Sequence, residues 1–502
     1  MTFEADRISA TIKFILVLLV AGLIFSWMGI SVTFILLLLI WSLALFYSFS
    51  DMRRRGLLAA FLVAFFVFLM GGHFVHEFFG YRLSHYLGDD YYHFSNQLLL
   101  ISLSLVFICH LLTENLWFSR PAPPSRERES WEQFASSQKT IRLGAIARTL
   151  FLVTYPFWFY INLDKILFVL SRGYLSYYTG YMASMSYLFR AVGTIAPYAF
   201  YVFLATMPSR KNIKLPLTLF AIHALASLLT GRRIEFAVMV LFMAVYYLVR
   251  HQLAIRGEPW LTRRMVFGLI LLIPFFLFFL FAFNYLRLGA SSGASSLWSG
   301  MLGFLQQQGI SSSLIRLERY HQAALGDHHY YSLFGLLKWV RTNGLLGLLV
   351  KFDYGFSYIG NSIPFASLGN SLSNTLSLIV LGEKRYLEGL GLGSCYIAEL
   401  FHDFGYWGVG IGNAVYGSLM AALGQSLNRQ RKSVFAIAML FILFESFVKA
   451  PRWNFDIVFA QMLNLAMWAS LAVIWALNYL WGDYSWDLGP GGGDASWHAK
   501  TI

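Results

Sequence analysis

Residues 215–249 read LPLTLFAIHALASLLTGRRIEFAVMVLFMAVYYLV, and their order of apolar and charged positions decides the class of fold. Two apolar runs flank a turn that carries Arg232, Arg233 and Glu235. A helix needs about 20 apolar residues to cross a bilayer, so these runs predict two short membrane spans that meet at one membrane surface. Charges near a membrane are costly unless something requires them, which makes this turn a candidate functional site.

The composition of the whole chain agrees with a membrane protein. The 502 residues are 58% hydrophobic and 13% charged, with a mean hydropathy of +0.59, whereas about a quarter of the residues in soluble domains are charged. The sequence therefore predicts an all-α polytopic membrane protein whose helices form one bundle. A net charge of +13 would suggest nucleic-acid binding in a soluble chain. Basic cytoplasmic loops explain this charge, so no nucleic-acid partner is predicted.

Residue types that bind metals do not form a convincing pattern. Cys109 and Cys395 each lie in an apolar setting and give neither a metal-ligand spacing nor a disulfide framework. The stretch GGHFVHEFF at 71–79 places His73 and His76 as in some zinc sites, but the sequence shows no third ligand. We therefore predict no metal and no cofactor.

The hydropathy pattern predicts about twelve membrane spans. They are 11–28, 29–49, 57–79, 96–116, 143–163, 181–206, 215–231, 233–250, 265–285, 404–424, 433–448 and 455–481. Basic segments follow five even-numbered spans, at 53–55, 120–128, 210–211, 250–264 and 429–432. Because positively charged loops remain in the cytoplasm, these loops and both termini are predicted to be cytoplasmic.

This topology divides the chain into four parts. They are spans one to nine with their basic loops (1–285), one long segment on the outer side (286–403), spans ten to twelve (404–481) and a flexible cytoplasmic tail (482–502). Within the long segment, 311–325 begins with good N-cap residues and predicts a short helix. Residues 335–352 are amphipathic and are predicted to lie in the membrane interface.

Several arginines lie on the outer side or within a span, where the charge bias of the loops does not explain them, and seven of these are candidates for binding a ligand. They are Arg190, Arg232, Arg233, Arg287, Arg316, Arg319 and Arg452. A side chain that reaches from a helix end to the interface explains each one alone equally well. As a set they predict a phosphate-bearing ligand in the outer leaflet, because arginine stays charged when desolvated and matches phosphate geometry. A lipid diphosphate fits this description, and so does an ordinary anion vestibule.

Individual positions within this set carry separate predictions. Arg190 lies near the middle of the sixth span, so it is predicted to face the bundle interior or a wet cavity. Arg316 and Arg319, three residues apart, are predicted to share one helix face with Tyr320. Tyr320 and Trp298 are candidates for stacking on sugar rings, although an interfacial aromatic belt also explains them.

Other charged residues favour structural roles. Glu235 is predicted to orient one of its neighbouring arginines. Glu445 and Lys449, four residues apart in the eleventh span, are predicted to pair with each other. The adjacent acids Asp89 and Asp90 are predicted to lie in a solvated loop.

A second stretch of sequence, taken together with the first, resembles a known protein family. Residues 388–412 read EGLGLGSCYIAELFHDFGYWGVGIG, and together with LTGRRIEF and the topology they resemble the Wzy-type O-antigen and repeat-unit polysaccharide polymerases. Those proteins carry a T-G-x-R signature at an outer helix end, and Thr230, Gly231 and Arg233 match it. They also close a long late periplasmic loop with a glycine-rich motif around a glutamate. The matching residues are Gly391, Gly393, Ser394 or Cys395, Glu399, Leu400, Gly405 and Gly408.

The resemblance implies a reaction and a location. A glycan on undecaprenyl diphosphate is transferred to the non-reducing end of a new lipid-linked repeat unit, with inversion and without a metal. This occurs at the periplasmic face of the bacterial inner membrane, in a GT-C-like helical bundle among membrane lipids, and a chain-length regulator protein is a possible partner. A general base within reach of the attacking hydroxyl would be Glu399, His402 or Asp403. A salt bridge to an arginine is an equal alternative for Glu399.

Two other functions compete with a polymerase. An O-antigen ligase is related, but at the comparable distance before Gly405 this chain has Ser394 instead of the ligase histidine. A flippase for the lipid-linked unit would show two related halves and charges along the depth of many helices. No halves are visible and the charges concentrate at outer helix ends, which favours a polymerase.

Overall fold

The chain folds into a helical bundle. The computed structural model describes residues 17, 20–26, 28–116, 124–257, 260–286, 296–326, 330–343, 356–358, 360–428 and 432–481. All of the regular secondary structure within these ranges is helical. Hydrogen bonds inside each helix satisfy the backbone, which is what a lipid environment demands.

Eighteen helices are labelled here in chain order. They are α1 Val32–Ser50, α2 Met52–Phe79, α3 Asp89–Leu116, α4 Pro124–Ser136, α5 Gln138–Arg172, α6 Tyr187–Ala205, α7 Arg210–Leu228, α8 Arg233–Leu253, α9 Arg263–Leu286, α10 Leu297–Gln308, α11 Ile310–Tyr320, α12 Phe334–Asn343, α13 Ile363–Leu368, α14 Leu372–Leu381, α15 Tyr396–Gly424, α16 Val434–Lys449, α17 Ile457–Met462 and α18 Leu465–Leu480. Shorter helices and 3₁₀ turns lie at Ser176–Gly180, Ile255–Gly257, Gln322–Leu325, Tyr331–Leu333, Glu383–Leu387, Gln425–Leu427 and Ala450–Arg452.

The prediction of an all-α polytopic membrane protein is confirmed. Within the described ranges, eight helical segments are long and apolar enough to cross a membrane: α1, α2, α3, α6, α8, α9, α16 with its 3₁₀ extension, and α17 with α18. The predicted spans 143–163 and 404–424 fall within helices α5 and α15, and 215–231 overlaps helix α7, which ends at Leu228. The first predicted span, 11–28, lies largely outside the described residues, and the total of about twelve stays a prediction.

Helix α2 forms the centre of the bundle. Of its most apolar stretch, 78% of the residues are buried inside the protein, against 28% for α1. Helix α3 runs along α15, and α5 runs along α6. The α3–α15 contact is close because Gly417 has no side chain: a Cβ there would lie 2.3 Å from the carbonyl oxygen of Val106.

A π-helical segment interrupts α2 in its second half, where Arg452 lies over Phe68. It spans Phe66–Met70 and packs against α11 and the turn Ala450–Arg452. Just beyond it, Gly72 and Gly309 meet backbone to backbone, since a Cβ on Gly309 would lie 2.6 Å from the Gly72 Cα. Such π segments are frequent at functional sites, and this one supports the helices that follow α9.

The long segment after α9 contains short helices, as the sequence suggested. The predicted helix 311–325 is split into α11 and Gln322–Leu325, with a break at His321. Its N-cap is Gly309, without a side-chain cap, so the predicted capping by the serines is wrong. The amphipathic stretch 335–352 begins as helix α12, and most of its remainder lies outside the described residues.

Candidate active site

The T-G-x-R signature builds the turn between α7 and α8. Thr230 is buried, and its hydroxyl donates to the carbonyl of Ser227 at 2.7 Å. Gly231 has φ +80°, and a Cβ there would lie 2.2 Å from the ring of Tyr174. Only glycine fits that backbone and that space. The turn therefore fixes the direction in which Arg232 leaves it.

A charge network extends from this turn to α16. The guanidinium of Arg232 lies 3.0 Å from the carboxylate of Glu235, which confirms the predicted orienting role of Glu235. The ammonium of Lys449 donates to the same carboxylate at 2.8 Å and also contacts Glu445. The predicted Glu445–Lys449 pair is confirmed, but it is not isolated. Glu235 holds two cations from distant parts of the chain side by side.

Arg233 points away from this network. Its Nη1 donates to the carbonyl of Leu280 in α9 at 2.6 Å. The two adjacent arginines thus serve different neighbours, since Arg232 also lies with its guanidinium 6.0 Å from the ring centre of Tyr177. Through the hydrogen bond of Arg233, the turn links α9 to the N-terminal end of α8, which carries the charged residues.

The segment 449–456, KAPRWNFD, joins this network to the glycine-rich motif. Lys449 reaches Glu235 at its start, and Arg452 hydrogen-bonds Gln308 at the end of α10. Arg452 also lies over the ring of Phe68 in the π segment, 5.6 Å from the ring centre to the guanidinium carbon. This single short segment contacts three separate parts of the chain.

Glu399 accepts hydrogen bonds from the C-terminal part of the 449–456 segment. Its carboxyl group is fully buried and accepts from Asn454 Nδ2 at 2.7 Å and from the backbone N–H of Phe455 at 2.9 Å. The hydroxyl of Ser394 donates to it at 2.5 Å. Of the two motif positions that the sequence left open, Ser394 is the one that contacts the glutamate. These three partners are neutral groups of the protein, so the geometry is that of an anchor for the 449–456 segment.

The glycines of the motif shape its backbone. Gly393 has φ +85° before the helix begins, and Gly405 has φ +59° and ψ −147°, which kinks α15. A Cβ on Gly408 would lie 2.5 Å from the carbonyl oxygen of Leu400. The glycines of the motif thus shape the backbone that directs Glu399, His402 and Asp403 towards their partners in the protein.

His402 is held by two acceptors. Its Nδ1 lies 3.1 Å from Glu318 in α11, and its Nε2 lies 3.1 Å from the carbonyl of Gly326. With an acceptor at each ring nitrogen, the doubly protonated imidazolium satisfies both contacts. In this arrangement His402 ties α15 to the long segment and has no lone pair left for a base.

Asp403 is occupied in a similar way. Its carboxylate accepts the backbone N–H of Tyr331 at 3.1 Å and that of Ser332 at 2.8 Å, and the Ser332 hydroxyl at 2.5 Å. These contacts cap the 3₁₀ turn that leads into α12. The structure therefore brings Glu399, His402 and Asp403 onto one helix end, and each of them holds a different segment.

Arg316 is buried among neutral partners. It donates to the carbonyl of Ser84 at 3.0 Å, and its Nη1 lies 3.2 Å from His73 Nε2. Burial lowers the pKa of Arg316 to about 10, which leaves it charged at neutral pH. Arg319 is exposed beside it, with a hydrogen bond of 3.0 Å to Gln322. The predicted common face is wrong, because α11 packs Arg316 inward and turns Arg319 outward.

Other predicted residues lie apart from the charge network. Arg190 is exposed in the first turn of α6, which begins after its N-cap Ser186, so its predicted mid-span position is wrong. Arg287 lies outside the described residues. Trp298 is 54% exposed, with its ring centre 5.6 Å from that of Phe79.

The remaining predicted residues are Tyr320 and the adjacent acids Asp89 and Asp90. Tyr320 is 54% exposed, with its ring centre 5.8 Å from that of Tyr91. Asp89 and Asp90 begin helix α3, so the prediction that they lie in a loop is wrong. Acidic residues are favoured there by the partial positive charge of a helix N-terminus. Within the described part of the chain, no three His, Cys, Asp or Glu side chains converge as a metal site would require.

Two residues of the site, Asn454 and Glu318, and one contact, between Lys449 and Glu235, were not identified from the sequence. Asn454 and Glu318 lie 55 and 84 residues from their partners Glu399 and His402, and no local pattern signals such pairing. The link from Lys449 to Glu235 crosses 214 residues. The available signal was the density of polar residues in KAPRWNFD between two apolar runs.

Comparison with known proteins identifies the family. No curated protein and no solved structure matches the chain, so the likeness to GT-C-like bundles stays a prediction. The family model described as O-antigen polysaccharide polymerase Wzy matches residues 8–483, nearly the whole chain. The resemblance seen in the two motifs is thereby confirmed. The chain belongs to the O-antigen polysaccharide polymerase Wzy family, and it is a multi-pass membrane protein that polymerises lipid-linked oligosaccharide repeat units.

Proposed function

We propose that this polymerase uses repeat units carried on undecaprenyl diphosphate and acts at the periplasmic face of the bacterial inner membrane. The growing glycan leaves its lipid diphosphate and joins the non-reducing hydroxyl of a new lipid-linked unit. The hydroxyl oxygen forms the new glycosidic bond, with inversion, as the bond to the diphosphate breaks and the hydroxyl proton is released. The family match over 8–483 carries this proposal. The charge network around Glu235 supports it.

The proposed role of the arginines is to neutralise the leaving diphosphate. Preorganised cations in a water-poor setting stabilise charge that develops in a transition state. Arg232 is the best-placed candidate, since its side chain is 27% exposed and Glu235 fixes its direction. A guanidinium has five N–H donors in a fork that matches the oxygens of a phosphate group. Lys449 would add a second positive charge beside it, and the protein would need no metal for this step.

The other arginines are assigned proposed roles according to where they lie in the structure. Arg452 lies on the segment that also carries Lys449, which makes it the second candidate for the diphosphate. Arg319 and Arg190 are exposed and would attract the anionic carrier over a longer range. Arg233 lies beside Arg232 at the start of α8 and would add positive charge at the same turn. Arg316 would act through structure, because its donors already bind the 80–88 loop.

We assign positioning roles to Glu399, His402 and Asp403. Each is engaged by groups of the protein, and Glu399 is fully buried. Through Asn454 and Phe455, Glu399 fixes the segment that carries Lys449 and Arg452. With a diphosphate as leaving group, stabilising the departing charge is expected to contribute more than removing the proton of the attacking hydroxyl.

The experiment is the length of the surface glycan on cells that carry Arg232→Ala. A polymerase that has lost its diphosphate ligand leaves single repeat units on the surface. We expect the ladder of long chains to collapse to one unit at an unchanged protein level. Lys211→Ala is the matched control, because Lys211 is exposed at the opposite, predicted cytoplasmic end.

Other outcomes discriminate the competing functions. Loss of all surface glycan in Arg232→Ala would point to ligation or export and contradict the proposal. An unchanged ladder in both Arg232→Ala and Arg452→Ala would remove the two arginines from the reaction. Measurement of protein level by immunoblot separates either result from a loss of folding.

A further inference from the structure

Helix α9 differs from every other candidate span in how little it packs. Only 11% of its most apolar stretch is buried, whereas the other seven spans bury 28% to 78%. From Thr262 to Ile273 no residue is buried, and every one except Gly268 is exposed. Twelve residues make more than three helical turns. A helix that lies against a bundle buries a face in every turn, so this half of α9 stands away from the bundle on all sides.

The other half of α9 is firmly packed. Leu280 and Phe281 are buried against residues of α7, α8 and α10. The ring of Phe276 lies 5.7 Å from that of Phe236 at the start of α8. Pro274 separates the two halves. A proline inside a helix removes one hydrogen bond and favours a bend.

A crevice between the free half of α9 and the bundle follows from this geometry. Helix α7 borders it, because Leu228 of α7 belongs to the same buried apolar cluster as Leu280 and Phe281 of the packed half of α9. One helical turn away, Leu225 is 56% exposed, and Ile222 continues the same apolar stripe. The crevice is therefore lined by apolar side chains and open to the membrane.

The crevice closes where the packed half of α9 joins the bundle near Leu280, and this end carries positive charge. Arg233 donates to the carbonyl of Leu280, at the point where α9 joins the bundle. Arg232 is its immediate neighbour and is partly exposed. An apolar channel that ends at guanidinium groups is complementary to a molecule with a long hydrocarbon chain and an anionic head.

We propose that the crevice between α7 and α9 holds the polyprenyl chain of the lipid-linked substrate, with its diphosphate at Arg232. This inference rests on the proposed function for the nature of the head group. It assigns the substrate to one side of the bundle, although α1 and α18 also expose apolar residues to lipid. It also makes α9 one wall of the crevice.

The test is photo-crosslinking of the purified full-length protein in phosphatidylethanolamine nanodiscs. A photoreactive amino acid replaces Leu225 on α7, Ile270 on α9 or, as the control, Leu36 on α1, which are 56%, 59% and 45% exposed. The probe is radiolabelled undecaprenyl diphosphate. We expect crosslinks at positions 225 and 270 and only background at position 36. Undecaprenol, which lacks the charged head, should label all three positions alike.

Arg232→Ala in the same background provides the second measurement. We expect crosslinking at 225 and 270 to fall to the level of position 36, because the anchor of the head group is lost. Equal labelling of the three positions by undecaprenyl diphosphate would overturn the inference. Protein-to-protein crosslinks at position 270 without lipid labelling would also overturn it, since a second copy or a regulator would then cover α9.

The two proposals fail separately. A collapsed glycan ladder in Arg232→Ala together with uniform lipid crosslinking would retain the polymerase assignment and reject the crevice. Lipid crosslinks confined to the crevice together with an unchanged ladder would retain the crevice and reject the catalytic use of Arg232.

Discussion

At the scale of single residues, burial separates roles that the sequence pattern groups together. The seven outer arginines look alike in the sequence, yet Arg316 is enclosed and Arg232 is partly exposed. Glu399 stands in the motif where a base was predicted, but its carboxyl group faces Asn454 and a backbone N–H. Sequence identifies these residue types because charges are rare in an apolar chain. It does not identify their partners, because those lie far away along the chain.

Glu399 and Asn454 are expected to act as one unit. Glu399→Gln places an amide where the N–H of Phe455 donates, and Asn454→Ala removes the other contact, so each should release the 449–456 segment and shorten the glycan ladder. Residues in contact show non-additive effects. We therefore expect the double variant to have ladders no shorter than those of the worse single variant. Additive shortening would show that Glu399 has a role apart from Asn454.

Asp456 gives a prediction for pH. Burial raises the pKa of Asp456 from 3.8 to about 7, although the N–H of Leu336 opposes this shift. Between those values the folded protein holds a proton that the unfolded chain has released, so folding stability falls as the pH rises. We expect the Tm of the purified protein to decrease from about pH 5 to about pH 7.5. Asp456→Asn, which keeps an acceptor and does not titrate, should flatten this dependence, and an equally steep slope would contradict the assignment.

At the scale of elements, the hydropathy pattern was informative and the local irregularities were not foreseen. Eight predicted spans correspond to helices that meet the requirements for crossing a membrane. The π segment Phe66–Met70 and the kink at Gly405 were not predicted. The sequence there is uniformly apolar or glycine-rich, and tertiary packing selects the irregular form. The break at His321 and the helical start at Asp89 were also not predicted, although acidic residues are favoured at a helix N-terminus.

A substitution at Gly231 tests whether tertiary packing determines the local backbone of the turn. Gly231→Ala introduces a side chain at φ +80° and against the ring of Tyr174. The left-handed backbone alone costs roughly 1–2 kcal/mol for a residue with a Cβ. We expect a lower Tm together with shortened ladders, because the turn also aims Arg232. Adding Tyr174→Ala should recover part of the Tm, whereas no recovery would mean that the ring contact is unimportant.

At the scale of the whole molecule, the charge distribution indicates which end of the bundle faces outward. The native cysteines give a low background for labelling, since Cys395 is buried and Cys109 is half-buried. Tyr320→Cys and Lys211→Cys place exposed thiols at the two opposite ends. We expect a membrane-impermeant maleimide to label the first in intact spheroplasts and the second only after lysis. The reverse pattern would invert the topology.

The many anchors of the long segment affect how such proteins diverge. Asp403, Asp456, Arg316 and the Gly72–Gly309 contact each tie that segment to a different part of the membrane bundle. The segment is therefore not a module that evolution or an engineer could exchange on its own. A chimera that imports 297–403 from another family member should fold only when the recipient also receives the matching 449–456 segment and the 72–85 region. Substitutions in this segment would then be accompanied by linked substitutions at several other places in the chain.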